Sequence, residues 1–375
     1  MKKLITTECV SYGHPDKIAD QISDALLDAY IIEDKNSKVA IETMVKDNVV
    51  VLGGEVMSNG HIDIEKVVKQ VVKEIGFTKE QGFYYEDINI INLIGKQSIQ
   101  INKAVVQENE EVGAGDQGFM VGFATNEAPN YMPIGMYIAR ILAEHFVINP
   151  HFGPDLKTQV TVEEDTETGV KRIHSILVST MQKNIFLDEA KRCITQQIKE
   201  NDIKLSKEIF SLIDEDTNIF VNPAGKWTIG GPVADCGVTG RKIVVDQYGP
   251  YCPVGGGAMS GKDFSKVDRS GAYLCRYIAK NIVASGFGND CKVEIAYMIG
   301  VAEPVSINIE IEGKPAEQNL VDLIKEIFPM TPKQIIEHFD LRKPIYLETA
   351  KHGHFGINSN SRSWEKLDMI EKLKQ

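Results

Sequence analysis

The chain has 375 residues, of which 43% are hydrophobic and 25% charged. That is the balance of an ordinary folded protein of two or three domains, and it excludes a disordered chain, a collagen or a disulfide scaffold. The net charge of −12 argues against non-specific binding of nucleic acid or lipid. No apolar run approaches the roughly 18 residues a membrane helix needs, and the opening MKKLITTECV is broken too early for a secretory leader. A cytoplasmic address is expected, with no membrane partner. The six cysteines form no CxxC pair and read as small apolar residues.

In chain order, a short opening strand precedes Ile18, Ile22, Ala25, Leu26 and Ala29 at helical spacing. VAIETMV and VVVLGGEV form a hairpin turning at Lys46-Asp47-Asn48. Ile64, Val67, Val68, Val71, Val72 and Ile75 mark a second helix, and INIINLI closes the first third as a strand. The middle third repeats this order. Strand FMVGFAT, a helix over Ile134–Phe146, hairpin QVTVEED/IHSILVST, a helix over Leu187–Lys199 and strand NIFVN follow one another. The last third offers strand KIVVDQY, a helix over Gly271–Ala284, hairpin VEIAYMIG/VSINIEI, and helices near Leu320–Ile327 and Lys333–Phe339. Strand, helix, hairpin and helix thus recur three times, which predicts an α+β fold of three similar units with antiparallel sheets covered by helices. The expected divisions are 1–98, a long polar loop at 99–112, 113–230 and 231–375.

Three glycine motifs carry the chemistry. Gly113-Ala114-Gly115-Asp116-Gln117-Gly118 has the dinucleotide spacing, but a strand follows it where a helix should open, so a Rossmann site is not expected. Gly256-Gly257-Ala258-Met259-Ser260-Gly261-Lys262 resembles a P-loop, yet Asp263 stands where Ser or Thr should bind magnesium, and Pro250 and Pro253 occupy the preceding strand position. Its glycines still allow backbone N–H groups to approach an anion, with Lys262 and Lys266 adding charge. Residues 241–270 carry five basic groups against three acidic ones in an otherwise acidic chain, which suggests a bound anion. Gly13-His14-Pro15-Asp16-Lys17 opens a helix, where free N–H groups favour phosphate. There His14 and Lys17 can donate to phosphate, and Asp16 can hold magnesium.

GHPDKIADQISDALLDA, GAGDQG, IGGPVADCGVTGRK and GGGAMSGKDFSKVDRS, with VAEPVSI and ETAKHGHFG, together resemble the S-adenosylmethionine synthetase family nearly end to end. The resemblance implies three similar domains around a pseudo-threefold axis. It implies attack of the methionine sulfur on C5′ of ATP, departure of the whole triphosphate, and its cleavage to pyrophosphate and phosphate before release. Two magnesium ions and one potassium ion per site are implied, as is a homodimer or homotetramer with shared active sites. Carried over position by position, it puts His14 at the breaking C5′–O bond, Asp16 and Asp268 on magnesium, and Glu42 on potassium. Lys157, Arg241, Lys242, Lys262 and Lys266 would line the triphosphate, with Arg241 at its cleavage and Glu8 close by. Asp155, Lys226, Trp227, Asp235 and Ala258 would lie on the nucleotide, and Glu55, Gln97, Asp116, Asp235 and Lys266 on methionine. The polar segment from Gln97 to about Glu111 corresponds to a gate over the site. The sequence departs from the family pattern at Tyr12, Val254, Met259, Ile99 and Gln100, none of which is an anion-binding group. A non-catalytic ATP-sensing relative would be expected to have lost His14, Asp16 or Lys262, and all three are present.

Overall fold

The computed structural model of the protein describes residues 2–97, 113–165, 167–356 and 362–375. The expected gate beyond Gln97, with Ile99 and Gln100, falls outside the described residues. The first third holds β1 (Lys2–Val10), α1 (Pro15–Glu33), the hairpin β2 (Lys38–Lys46) and β3 (Val49–Met57), α2 (Ile64–Ile75) and β4 (Asn89–Lys96). The middle third holds β5 (Gly118–Thr125), α3 (Ile134–Val147), the hairpin β6 (Phe152–Asp165) and β7 (Gly169–Gln182), α4 (Leu187–Lys199) and β8 (Asn218–Val221). The last third holds β9 (Gly237–Val238), α5 (Val267–Ala284), β10 (Asp290–Tyr297), β11 (Ser306–Ile311), β12 (Lys314–Pro315), α6 (Gln318–Ile327) and α7 (Pro332–Phe339). Among the described residues no helix is long and apolar enough to cross a membrane.

The order of elements agrees with the sequence pattern, but the pairing crosses between the thirds. β1 leaves its own third and pairs antiparallel with β6, in a sheet of order β1-β6-β7-β8. β5 pairs with β10 in the sheet β12-β11-β10-β5, and β9 returns to pair with β2 in the sheet β4-β3-β2-β9. Each opening strand thus completes the sheet of another third, in a closed cycle around the pseudo-threefold axis. Two of the sheets are mixed, β4 running parallel to β3 and β8 parallel to β7, while β12-β11-β10-β5 is antiparallel throughout.

One expected element is corrected. KIVVDQY is not a strand, because Ile243–Asp246 forms a single helical turn and the short β9 supplies the opening strand instead. The β-branched run favours extension locally, but tertiary partners override it. Arg140 captures the carbonyls of Val245 and Gln247 at 2.8 Å each, and Asp246 is drawn inward by Lys17.

α1 and α5 are buried on nearly every side, so their polar residues must pair internally. Arg269 donates to both oxygens of Asp24, at 2.8 and 2.9 Å, locking the two helices together. Ser23 bonds Thr43 and Thr239, tying α1 to β2 and to the chain after β9. Further along α5, Arg276 and Lys280 converge on Glu365. All six cysteines are free; Cys9, Cys275 and Cys291 are buried, while Cys193, Cys236 and Cys252 are half-buried.

Burial sets two opposed groups of titrations. His14 and His352 are pushed down to about 3, and His354 well below its ordinary value, in each case chiefly by burial. Burial lifts Asp20, Asp28 and Glu127 to about 7. As pH falls below 6.5 the unfolded histidines take protons first, which removes stability down to about pH 3. From about pH 7 the three carboxyls take protons first in the folded state, which adds stability until the unfolded carboxyls also titrate. Each group changes stability by about 1.4 kcal/mol per pH unit within its window. The expected result is a urea midpoint that does not decline from about pH 6.5 to 4.5 and falls steeply below about pH 4, where the carboxyl gain has ended. A steady decline beginning at pH 6.5 would show that the three carboxyls are not protonated in the fold.

Candidate active site

The first group of candidate residues gathers at the start of α1. Gly13 sits against the Pro154 carbonyl so closely that a Cβ would collide with it. The His14 turn is thereby laid on the Pro154-Asp155-Leu156-Lys157 segment that opens β6. His14 is 2% exposed and caps the helix, its Nδ1 accepting the Asp16 N–H at 3.1 Å. Burial and the charges of Lys242 and Lys157 keep the ring neutral, so its proton resides on Nε2 and can be donated. Gly237 allows the same close approach on the other side, against the Pro15 carbonyl. The chain after it crosses the helix N-terminus, where Asp16 accepts the Val238 N–H at 2.9 Å and Lys242 Nζ at 2.5 Å. Arg241 Nε lies 3.9 Å from the same carboxylate.

Asp155 is buried, raised to about 6 by that burial, and accepts the Gly231 N–H at 2.8 Å. Asp235, exposed four residues later, adds negative charge beside it. Trp227 is half-buried and its indole N–H donates to the Ile229 carbonyl, with exposed Lys226 before it. Lys157 is exposed opposite Val10, and Glu8 pairs with Gln159 two residues along the same face.

The second group forms at the start of α5. Asp268 is the second residue of α5, as Asp16 is of α1. Lys262 Nζ lies 2.6 Å from Asp268, which parallels the pair of Lys242 with Asp16. The glycine-rich segment is not a P-loop: a helical turn precedes it, and it runs along the edge of β2. Ala40 bridges Lys262, and the Ile41 N–H donates to the Gly261 carbonyl at 3.0 Å. Lys266 is held by Asp263, and Asp116 is exposed just before β5. The 113–118 motif leads into a strand, so no dinucleotide fingerprint is present.

The third group lies on the outer face of the first sheet. Glu42 pairs across to Gly53, and Glu55 pairs with Ala40 on one side and Gly95 on the other. Gln97 follows β4 at the rim of a cleft of about 520 Å³ lined also by Tyr30, Val56 and His61. Its Oε1 is buried without a hydrogen-bond partner among the described residues. Because Ala40 touches both Lys262 and Glu55, the second and third groups adjoin. β9 ladders to β2, but among the described residues no hydrogen bond or ion pair joins the candidate side chains of the first group to those of either other group, although Ala258 and Gly240 meet back to back.

One expectation is corrected. Lys17 is fully buried and bonds Asp20 at 3.0 Å and Asp246 at 2.6 Å, so it cannot reach a phosphate. The sequence assigns no role to Asp20 or Asp246, although Lys17 and Asp20 stand one helical turn apart. Of the departures from the family pattern, Tyr12 sets its ring edge-on to His352, and Met259 is buried.

Comparison with known proteins shows the family. The family descriptions "S-adenosylmethionine synthetase, N-terminal domain", "central domain" and "C-terminal domain" match residues 2–99, 111–227 and 229–366. The S-adenosylmethionine synthase of Clostridium botulinum (strain Alaska E43 / Type E3) is 43% identical over the whole of both chains. The solved structure of an unusual S-adenosylmethionine synthetase from Campylobacter jejuni is 38% identical, covers 99% of this chain and 98% of its own, and superposes with a TM-score of 0.89. With all three parts of the chain matched and the glycine motifs folded around two acidic helix starts, the chain belongs to the S-adenosylmethionine synthetase family, the methionine adenosyltransferases that make S-adenosylmethionine from ATP and methionine.

Proposed function

We propose that the chain transfers the adenosyl group by direct attack of the methionine sulfur on C5′ of ATP, and that it then cleaves the departing triphosphate to pyrophosphate and phosphate before release. A thioether has no proton to lose, so the reaction needs no general base. The barrier lies in the negative charge that gathers on the leaving group. The observation that carries the reading is the pair of acidic helix starts, Asp16 with Lys242 and Asp268 with Lys262. Each lysine has a carboxylate as its partner, and each can turn to a phosphate when that carboxylate takes a cation.

His14 donates from Nε2 to the oxygen leaving C5′. Lys157, Arg241, Lys242, Lys262 and Lys266 hold the remaining phosphate oxygens, and Arg241, the most exposed of the first group's arm, serves the cleavage step. Asp155, Asp235, Lys226, Trp227 and Ala258 orient the nucleotide, the indole face being suited to a purine. Glu55, Gln97 and Asp116 orient methionine, and the unpartnered Gln97 Oε1 suits its amino group.

The donor set at Asp16 and Asp268 fits magnesium, two hard oxygen ligands at sites otherwise neutralised by lysine. Two ions per site, once bound, would neutralise charge on the polyphosphate. Glu42, on an exposed strand face with Glu55 as a diagonal neighbour, fits potassium only together with oxygens that another chain brings. That face also exposes Met44, Ile91 and Leu93, an apolar surface suited to a second copy. A homodimer, itself pairing into a tetramer, would set the first group of one chain against the second and third of its partner.

The test mixes purified protein with ATP, methionine, magnesium and potassium and identifies products by mass spectrometry. S-adenosylmethionine with pyrophosphate and phosphate is the expected result. Release of intact triphosphate would overturn the cleavage step. Full activity in a monomer by sedimentation would overturn the shared site.

A further inference from the structure

The arm that carries Arg241 and Lys242 is held at both ends by charges that the proposed reaction does not use. Lys17, Asp20 and Asp246 are all buried, the last 2% exposed. Lys17 Nζ bonds Asp20 Oδ2 at 3.0 Å and Asp246 Oδ1 at 2.6 Å. The other oxygen of Asp20 accepts the Gly240 N–H at 2.9 Å. The triad therefore grips residue 240 before the cationic pair and residue 246 after it. The Asp246 N–H donates to the Lys242 carbonyl at 2.8 Å, closing the helical turn from which the Lys242 side chain leaves. That side chain ends 2.5 Å from Asp16, one residue before Lys17 on the same helix. The geometry is closed: α1 presents Asp16 to the tip of the arm and Lys17 to its base.

A buried cation with two carboxylates is a poor way to gain stability, because apolar side chains of similar volume serve as well or better. What charge supplies here is direction. A one-turn helix without a sheet partner has few fixed points of its own, and charge-assisted bonds at two of them restrict the arc through which Lys242 and Arg241 can move.

We infer that Asp246 is a positioning residue for adenosyl transfer, acting through Lys17 and Asp20 to hold Lys242 and Arg241 at the Asp16 end of the site. The inference rests on the reading of Lys242 as a phosphate-binding cation. A double-mutant cycle of Asp246→Asn with Lys242→Ala, followed by kcat and by KM for methionine, separates the two. Asp246→Asn is expected to lower kcat by about tenfold or more with KM for methionine within about twofold. In the Lys242→Ala background the same substitution is expected to cost less than about threefold, because the group it positions has gone. Losses that multiply, so that the double variant falls by the product of the singles, overturn the positioning role. Wild-type kcat in Lys242→Ala alone would instead overturn the phosphate reading, and this inference with it. Should Asp246→Asn fail to fold, Asp20→Asn keeps an acceptor for Gly240, removes the charge, and passes through the same cycle with the same two outcomes.

Discussion

Replacing Glu365 by alanine is expected to destabilise the protein by about 3–5 kcal/mol, the cost of leaving buried charge without its partner. Glu365 is 2% exposed and accepts two bonds from Arg276 at 3.1 and 3.2 Å and one from Lys280 at 2.8 Å. It also accepts the Gly356 N–H at 2.8 Å, which ties the chain near 356 to α5. Burial alone would raise its pKa, but the two cations outweigh that and hold it at about 2. Its contribution is therefore complete above the unfolded value of 4.5 and is lost as pH falls toward 2. Alanine would leave Arg276 and Lys280 buried in α5 with backbone carbonyls as their remaining acceptors. The measurement is the thermal midpoint at pH 7, expected to fall by roughly 5–15 °C. A fall of under about 2 °C would mean that both cations find water, and that α5 is less enclosed than its contacts imply.

The largest effect on activity is expected at Lys262. Lys262→Ala should remove about 3 kcal/mol of transition-state stabilisation, or roughly 10² in kcat, as loss of one preorganised donor does. The side chain is part-buried, fixed to Asp268 at 2.6 Å, and carried on a glycine segment pinned to β2. It is thus held in place before any phosphate arrives. The substitution should leave the affinity for methionine alone within about twofold, since the sulfur substrate carries no phosphate. An equal loss in methionine affinity would move Lys262 out of the triphosphate cradle.

Much of this molecule can be read from its residues. The helices at Ile18–Ala29 and Ile64–Ile75 and all three hairpins follow from apolar spacing and turn residues, because each segment's local pattern agrees with the face it buries. KIVVDQY misleads, since its β-branched residues speak for extension while Arg140 and Lys17, far away in sequence, impose a turn. The exchange of opening strands leaves no mark in the pattern, for an amphipathic strand does not encode which hairpin it joins. At the site, the glycine motifs mark where the two acidic helix starts and their lysines gather, and the reading that excludes Rossmann and P-loop geometry agrees with the strand after Gly118 and the turn before Gly255. The grouping of those residues was not legible. The one-turn spacing of Lys17 and Asp20 hints at a buried pair, but nothing in the sequence shows that Lys242 is the lysine that meets Asp16.

The cyclic pairing of β1, β5 and β9 has a consequence for how the chain is made. Met44 and Val45 in β2 pair with Val51 and Val50 of β3 on one edge, but on the other edge their neighbours are Val238 and Gly237 from the last third. On a ribosome adding about 5–20 residues per second, that edge waits roughly 10–40 s for its mate. A nascent polypeptide holding an unpaired edge for so long invites capture by another copy, so synthesis of this enzyme should draw on holdase chaperones until its final third emerges.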